Sequence, residues 1–111
     1  MQIKKTYKDV NPELLYDEVR DFVQKQGVTI DEAKLETYSL PGDSSAHVVR
    51  ATLVFKNQGG AKCLRAHIVG LAIGETKVML DIDETLFPGE KVTAVEEDLD
   101  FIFGSYEVKP K

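Results

Sequence analysis

Apolar and polar residues alternate along three central runs, His47–Lys56, Ala61–Ile73 and Thr76–Thr85. Short breaks with glycine, Asn57–Gly60 and Gly74–Glu75, separate them. A period of two predicts strands with one face on a core, and short breaks predict antiparallel neighbours. In the first run His47, Val49, Ala51, Leu53 and Phe55 share the core face. In the second Leu64, Ala66 and Ile68 do so, and in the third Val78, Leu80 and Ile82. Upstream, Val28–Leu40 reads as a strand with a bulge or turn at Asp31–Glu32, closed by a loop at Pro41–Ser45. Gln2–Lys8 reads as a short strand kept wet by Lys4, Lys5 and Lys8.

Two segments change period. After Asn11 as cap and Pro12 at the first helical position, Leu15, Val19, Phe22 and Val23 recur at helical spacing, with Leu14 at the margin. This helix is expected to reach about Gln26 and to stop at a left-handed Gly27. From Glu90 to about Phe103, Val92, Val95, Leu99, Ile102 and Phe103 give a second stripe, with Phe101 off it and Gly104 as the stop. The tail, Ser105–Lys111, offers Tyr106 and Val108 to strap a sheet edge. The expected fold is α+β: a two-layer sandwich of an antiparallel four- to five-stranded sheet with two helices on one face, in the order β-α-β-β-β-β-α.

At 111 residues the chain is long enough for a single domain over 1–111, and 42% hydrophobic with 30% charged residues is a globular composition. The formal charge of -5 argues against nucleic acid as a partner. No apolar run is long enough to span a membrane, and Met1–Lys8 carries no apolar leader core. A lone Cys63 cannot form an internal disulfide, so a cytoplasmic setting is the default. His47 and His67 lie on different strands without Cys or Glu at ligand spacing, so neither a metal nor a cofactor is expected. Cys63 reads as structural, although Lys62 and Arg65 stand close to it.

The second sheet face is not purely polar. Arg50, Arg65, His67, Lys77, Asp81 and Asp83 are interleaved there with Val48, Val54, Val69, Leu71 and Ile73. Charge pairs across strands account for the former, while the apolar members point to a partner surface, either a second copy or another protein. The first expected function is therefore a non-enzymatic binding or interaction domain.

Two resemblances add to this. The stretch Val78–Leu86, with Asp81-x-Asp83-x-Thr85, resembles the first motif of the haloacid dehalogenase-like phosphotransferases. That resemblance implies Asp81 as nucleophile, Asp83 as general acid/base and a bound Mg²⁺. The family also needs a parallel sheet with crossover helices, and the chain after Thr85 has room for one helix and a tail. Mg²⁺-dependent phosphotransfer is thus the alternative function. The order of elements resembles a shortened helix-grip domain, as in START and Bet v 1-like proteins, and small uncharacterised archaeal two-layer sandwich proteins. The helix-grip likeness implies a small apolar ligand between the sheet, at Leu80 and Ile82, and the helix bearing Val92, Val95, Leu99, Ile102 and Phe103.

Overall fold

The computed structural model describes residues 1–40, 42–71 and 74–108. Five strands form one antiparallel sheet: β1 (Gln2–Lys8), β2 (Thr29–Leu40), β3 (Asp43–Lys56), β4 (Lys62–Leu71) and β5 (Glu75–Ile82). Helix α1 (Pro12–Gln24) follows β1, and helix α2 (Gly89–Phe103) follows β5. The spatial order is β1-β5-β4-β3-β2. Both helices lie on one face, giving the α+β two-layer arrangement that the alternation predicts. The longest dimension, 47 Å, is about what fourteen extended residues of β3 span at roughly 3.3 Å each.

The core lies between these layers. Leu15, Val19, Phe22 and Val23 of α1 meet Leu53 and Phe55 of β3, Leu64 and Ile68 of β4, and Val78 and Leu80 of β5. Tyr7 and Phe87, both fully buried, join them from β1 and from the turn before α2. Asn11 caps α1 as its sequence position suggests, accepting the Glu13 amide at 2.8 Å. The helix ends at Gln24, two residues early, because the Gln26 and Gly27 amides bond carbonyls three residues back. Gly27 then takes a φ of +92°, which suits glycine alone among common residues. The bulge expected at Asp31–Glu32 falls between Ile30 and Glu32 in the pairing with β3.

Several boundaries differ from expectation. The β2–β3 connection is shorter, since β3 already begins at Asp43. β5 ends at Ile82, so Asp83 and Thr85 belong to a turn rather than to the strand. Gly104 does stop α2, which ends at Phe103, but with a φ of −57°, and the chain continues through a 3₁₀ turn, Gly104–Tyr106. That turn brings the tail back to β1, where the Val108 amide donates to the Thr6 carbonyl at 2.7 Å. Ile102 leaves the helix stripe. Phe103 holds the last turn instead, with its ring 5.7 Å from Tyr7, and Ile102 is 43% exposed.

Lys5 also corrects the sequence reading. It shares the helix side of β1 with Ile3 and Tyr7, opposite Val78, rather than the wet side. Its ammonium lies 3.3 Å from Asp100 and 3.5 Å from Glu107. Burial opposes charge on Lys5, but the two carboxylates outweigh it and raise its pKa.

Candidate functional site

The helices cover one face of the sheet, and the pairing register fixes what lies on the other. Four rows cross it from β1 to β2. The first is Gln2, Asp81, Arg65, Val54 and Glu32; the second is Lys4, Met79, His67, Thr52 and Lys34. The third is Thr6, Lys77, Val69, Arg50 and Glu36. In the fourth, Lys8 stands opposite Glu75, and Leu71, Val48 and Tyr38 follow one another.

Charge is unevenly divided among these rows. Asp81 and Glu32 in the first, and Glu75 in the fourth, border the outside. The two middle rows carry Lys4, Lys34, Lys77 and Arg50 against a single carboxylate, Glu36. The chain as a whole is acidic, with a formal charge of -5. Its acids cluster on the helix layer, with Glu13, Asp17, Glu18 and Asp21 on α1 and Glu90, Glu96, Glu97, Asp98 and Asp100 on α2. The molecule is thus polarised, with an acidic helix layer and a cationic band across the bare sheet face.

A groove of about 400 Å³ lies in that band, lined by Lys4, Thr6, His67, Val69, Lys77 and Met79 among others. Val69 is exposed and Met79 half-buried, so the groove has an apolar floor between lysine rims. His67 Nδ1 faces Thr52 Oγ1 at 3.5 Å. At the β2 end, Glu36 is paired by Tyr38 and Lys34, with Lys34 Nζ 3.1 Å away. The Tyr38 hydroxyl and then Lys34 hold the Glu36 carboxyl below its ordinary pKa.

The expected surface residues have different fates. Val69 is exposed, and Val48 and Leu71 are half-buried on the bare face. Val54 is 2% exposed, so its neighbours Arg65 and Glu32 flank a covered side chain. Ile73 lies outside the described residues. Leu80, Ile82, Val92, Val95, Leu99 and Phe103 all sit in the core cluster.

The Asp-x-Asp segment is divided between two environments. Asp81 is on the bare face, with Gln2 and Arg65 as register neighbours. Asp83 is in the turn after β5, where its carboxylate accepts the Thr85 amide at 3.0 Å and the Thr85 hydroxyl at 2.5 Å. Those bonds hold its pKa below the ordinary value. Both carboxylates line a surface cleft of about 530 Å³ that also takes in Lys62 and Arg65. Among the described residues no group of three or more His, Cys, Asp or Glu side chains is placed to share a metal ion.

Cys63 is buried, and its thiol approaches the Phe55 carbonyl at 3.6 Å. Burial pushes its pKa up, outweighing the pull of Lys91, so the neighbouring cations do not make it a thiolate. No helix among the described residues is long and apolar enough to cross a membrane.

The cationic band was not visible along the chain because its members come from different strands. Lys4 and Lys77, and likewise Lys34 and Arg50, are apart in sequence and come onto neighbouring strands only in the register. Neither protein-family models nor curated proteins match this chain.

Proposed function

We propose that this chain is a non-enzymatic interaction domain that receives an acidic protein segment on the bare face of its sheet. The supporting observation is the pair of middle rows, where Lys4 stands opposite the half-buried Met79, and Lys77 and Arg50 flank the exposed Val69. Lysine rims with an apolar floor suit an extended segment that alternates carboxylates with apolar side chains. Protein is favoured over nucleic acid because the middle rows hold no Phe, Tyr or Trp on which bases could stack. The single buried Cys63 thiol fits a reducing, cytoplasmic setting.

The test is a titration of the isotope-labelled chain with an extended peptide alternating glutamate and leucine. A lysine–leucine peptide and a single-stranded oligonucleotide serve as comparisons. Amide shifts are expected at Lys4, His67, Val69, Lys77 and Met79 with the acidic peptide alone. They should shrink with added salt and in the double variant Lys4→Glu/Lys77→Glu. Shifts confined to the helices, or equal binding of the lysine peptide or the oligonucleotide, would reject the reading.

The apolar-ligand version, in which a helix-grip-like domain holds a ligand between sheet and α2, has less support. Leu80, Ile82, Val92, Val95, Leu99 and Phe103 are each at most 5% exposed and pack in one cluster. A ligand there would have to part side chains already in contact. Phosphotransfer has one observation on its side, the cleft shared by Asp81 and Asp83. Against it, the Asp83 carboxylate is already engaged by Thr85, and every pair of neighbouring strands is antiparallel. A Mg²⁺ titration that moved the Asp81 and Asp83 resonances together would revive it.

A further inference from the structure

The two edges of the sheet are treated differently. Along β1, the tail straps the outer edge: Val108 donates to the Thr6 carbonyl, and Glu107 bridges Tyr7. β2 is the opposite edge, and no described residue pairs with its outer side. It is twelve residues long, and Leu35 and Tyr38 are exposed along it. An open edge of that length is a template for another strand.

The sequence of β2 is self-complementary about one residue. A two-fold axis perpendicular to the sheet pairs such a strand with its own copy, antiparallel, and one residue must then meet itself. With Leu35 at the axis, each Lys34 stands opposite Glu36 of the second copy. Each Glu32 stands opposite Tyr38 of the second copy, and Ala33 opposite Thr37. Lys34 and Glu36 already touch within one chain at 3.1 Å, so the four charges would form an alternating ring. The registers centred on Lys34, Glu36 and Ala33 are worse. Centring on Lys34 sets lysine against lysine and Glu32 against Glu36, and centring on Glu36 sets glutamate against glutamate. Centring on Ala33 brings the bulge at Asp31 opposite Leu35 and interrupts the ladder twice.

We propose that β2 pairs with β2 of a second copy of this chain about Leu35, joining the two sheets edge to edge. The assembly is isologous and closed, so it stops at a dimer. It would align the two bare faces side by side, but it does not depend on what those faces bind. The contact is one strand wide and falls short of the roughly 1,200 Å² of stable complexes, so a weak dimer is expected.

Sedimentation of the full chain from about 10 μM to about 1 mM tests this, a range that brackets weak affinities. A concentration-dependent dimer is expected. Lys34→Glu and Glu36→Lys should each weaken it at least about tenfold by opposing like charges. The double reversal Lys34→Glu/Glu36→Lys should restore it to within about threefold, which a merely unfolded variant would not do. Under mild oxidation Leu35→Cys should cross-link to itself, and Thr37→Cys should not. A monomer at the highest concentration, a dimer indifferent to both single reversals, or equal cross-linking through Thr37→Cys would overturn the proposal.

Discussion

Gly70 of β4 stands opposite Thr76 of β5, and the Thr76 side chain occupies the space a Cβ at position 70 would need. Thr76 is fully buried and donates its hydroxyl to the Val10 carbonyl at 2.7 Å. The missing side chain on β4 therefore lets β5 reach across and fix the turn that launches α1.

Gly70→Ala should be costly for that reason. The added methyl would lie 2.9 Å from Thr76 Cβ and 3.0 Å from its Cα, as well as against the hydroxyl. The hydroxyl can rotate away, but Cβ and Cα cannot, so the strands must part. A loss of about 1–3 kcal/mol is expected in urea unfolding. Thr76→Val should cost a similar amount, about 1–3 kcal/mol, by leaving the buried Val10 carbonyl without its donor.

Tyr7 carries the opposite problem. Its side chain is fully buried, and its hydroxyl finds no partner among the described residues. Tyr7→Phe is expected to be neutral or to stabilise by up to about 1 kcal/mol at neutral pH, since an unpaired buried hydroxyl is removed. The alkaline limb should also change. Burial first, then the nearby Glu107 and Asp100, raise the phenol pKa well above 10 in the folded chain. Above the ordinary tyrosine pKa of about 10, the unfolded chain therefore loses this proton more readily, and stability falls as pH rises. That part of the loss should be absent in Tyr7→Phe, as read from unfolding free energies between neutral and strongly alkaline pH.

These two residues also mark the limits of the sequence. The alternation identified Ala51, Leu53, Phe55, Leu64, Ala66, Ile68, Val78, Leu80 and Ile82 as the core face, because a period of two leaves little choice once one residue is placed. Helix α1 was equally legible from its cap and stripe. Tyr7, Thr76 and Phe87 were not, since each is buried by an element distant in sequence. Lys5 was obscured by its neighbour Lys4, although parity with Ile3 and Tyr7 carried the signal. The bare face was legible strand by strand, but its charge pattern depends on strand order. That order places Lys4 beside Met79 and Lys77 beside Val69, and hydropathy does not encode it.

Asp83 should be a turn residue by its effect on stability. Its carboxylate holds the Thr85 amide and hydroxyl, and its carbonyl accepts the Phe87 amide at 2.8 Å. This turn delivers the fully buried Phe87 to the core. Asp83→Ala should lower the melting temperature, and Asp83→Asn, which keeps an acceptor oxygen, should lower it less. Because the Thr85 bonds depress the folded pKa, the contribution is present above the ordinary aspartate pKa of about 3.9 and is lost as pH falls through the folded value. The gap between wild type and Asp83→Ala should therefore narrow in acid.

The Lys5 cluster ties the tail to the sheet, and its loss should be local before it is global. Lys5 is 11% exposed and sits between Asp100 of α2 and Glu107 of the tail. Lys5→Met keeps the apolar stem but leaves Glu107, itself 15% exposed, without its cation. A destabilisation of about 1 kcal/mol is expected, since Asp100 is largely solvated and contributes little. The more telling readout is amide exchange. The Val108 amide is bonded to Thr6, outside the central ladder, so its protection should fall in Lys5→Met. Amides of β4, between β3 and β5, should change only with global stability. The raised Lys5 pKa gives the pH dependence. The stabilisation is complete below the ordinary lysine pKa of about 10.4 and disappears as pH rises through the folded value. Wild-type Val108 protection should therefore approach that of Lys5→Met in strong alkali, whereas unchanged protection in the variant at neutral pH would show that the backbone strap holds without the ion pairs.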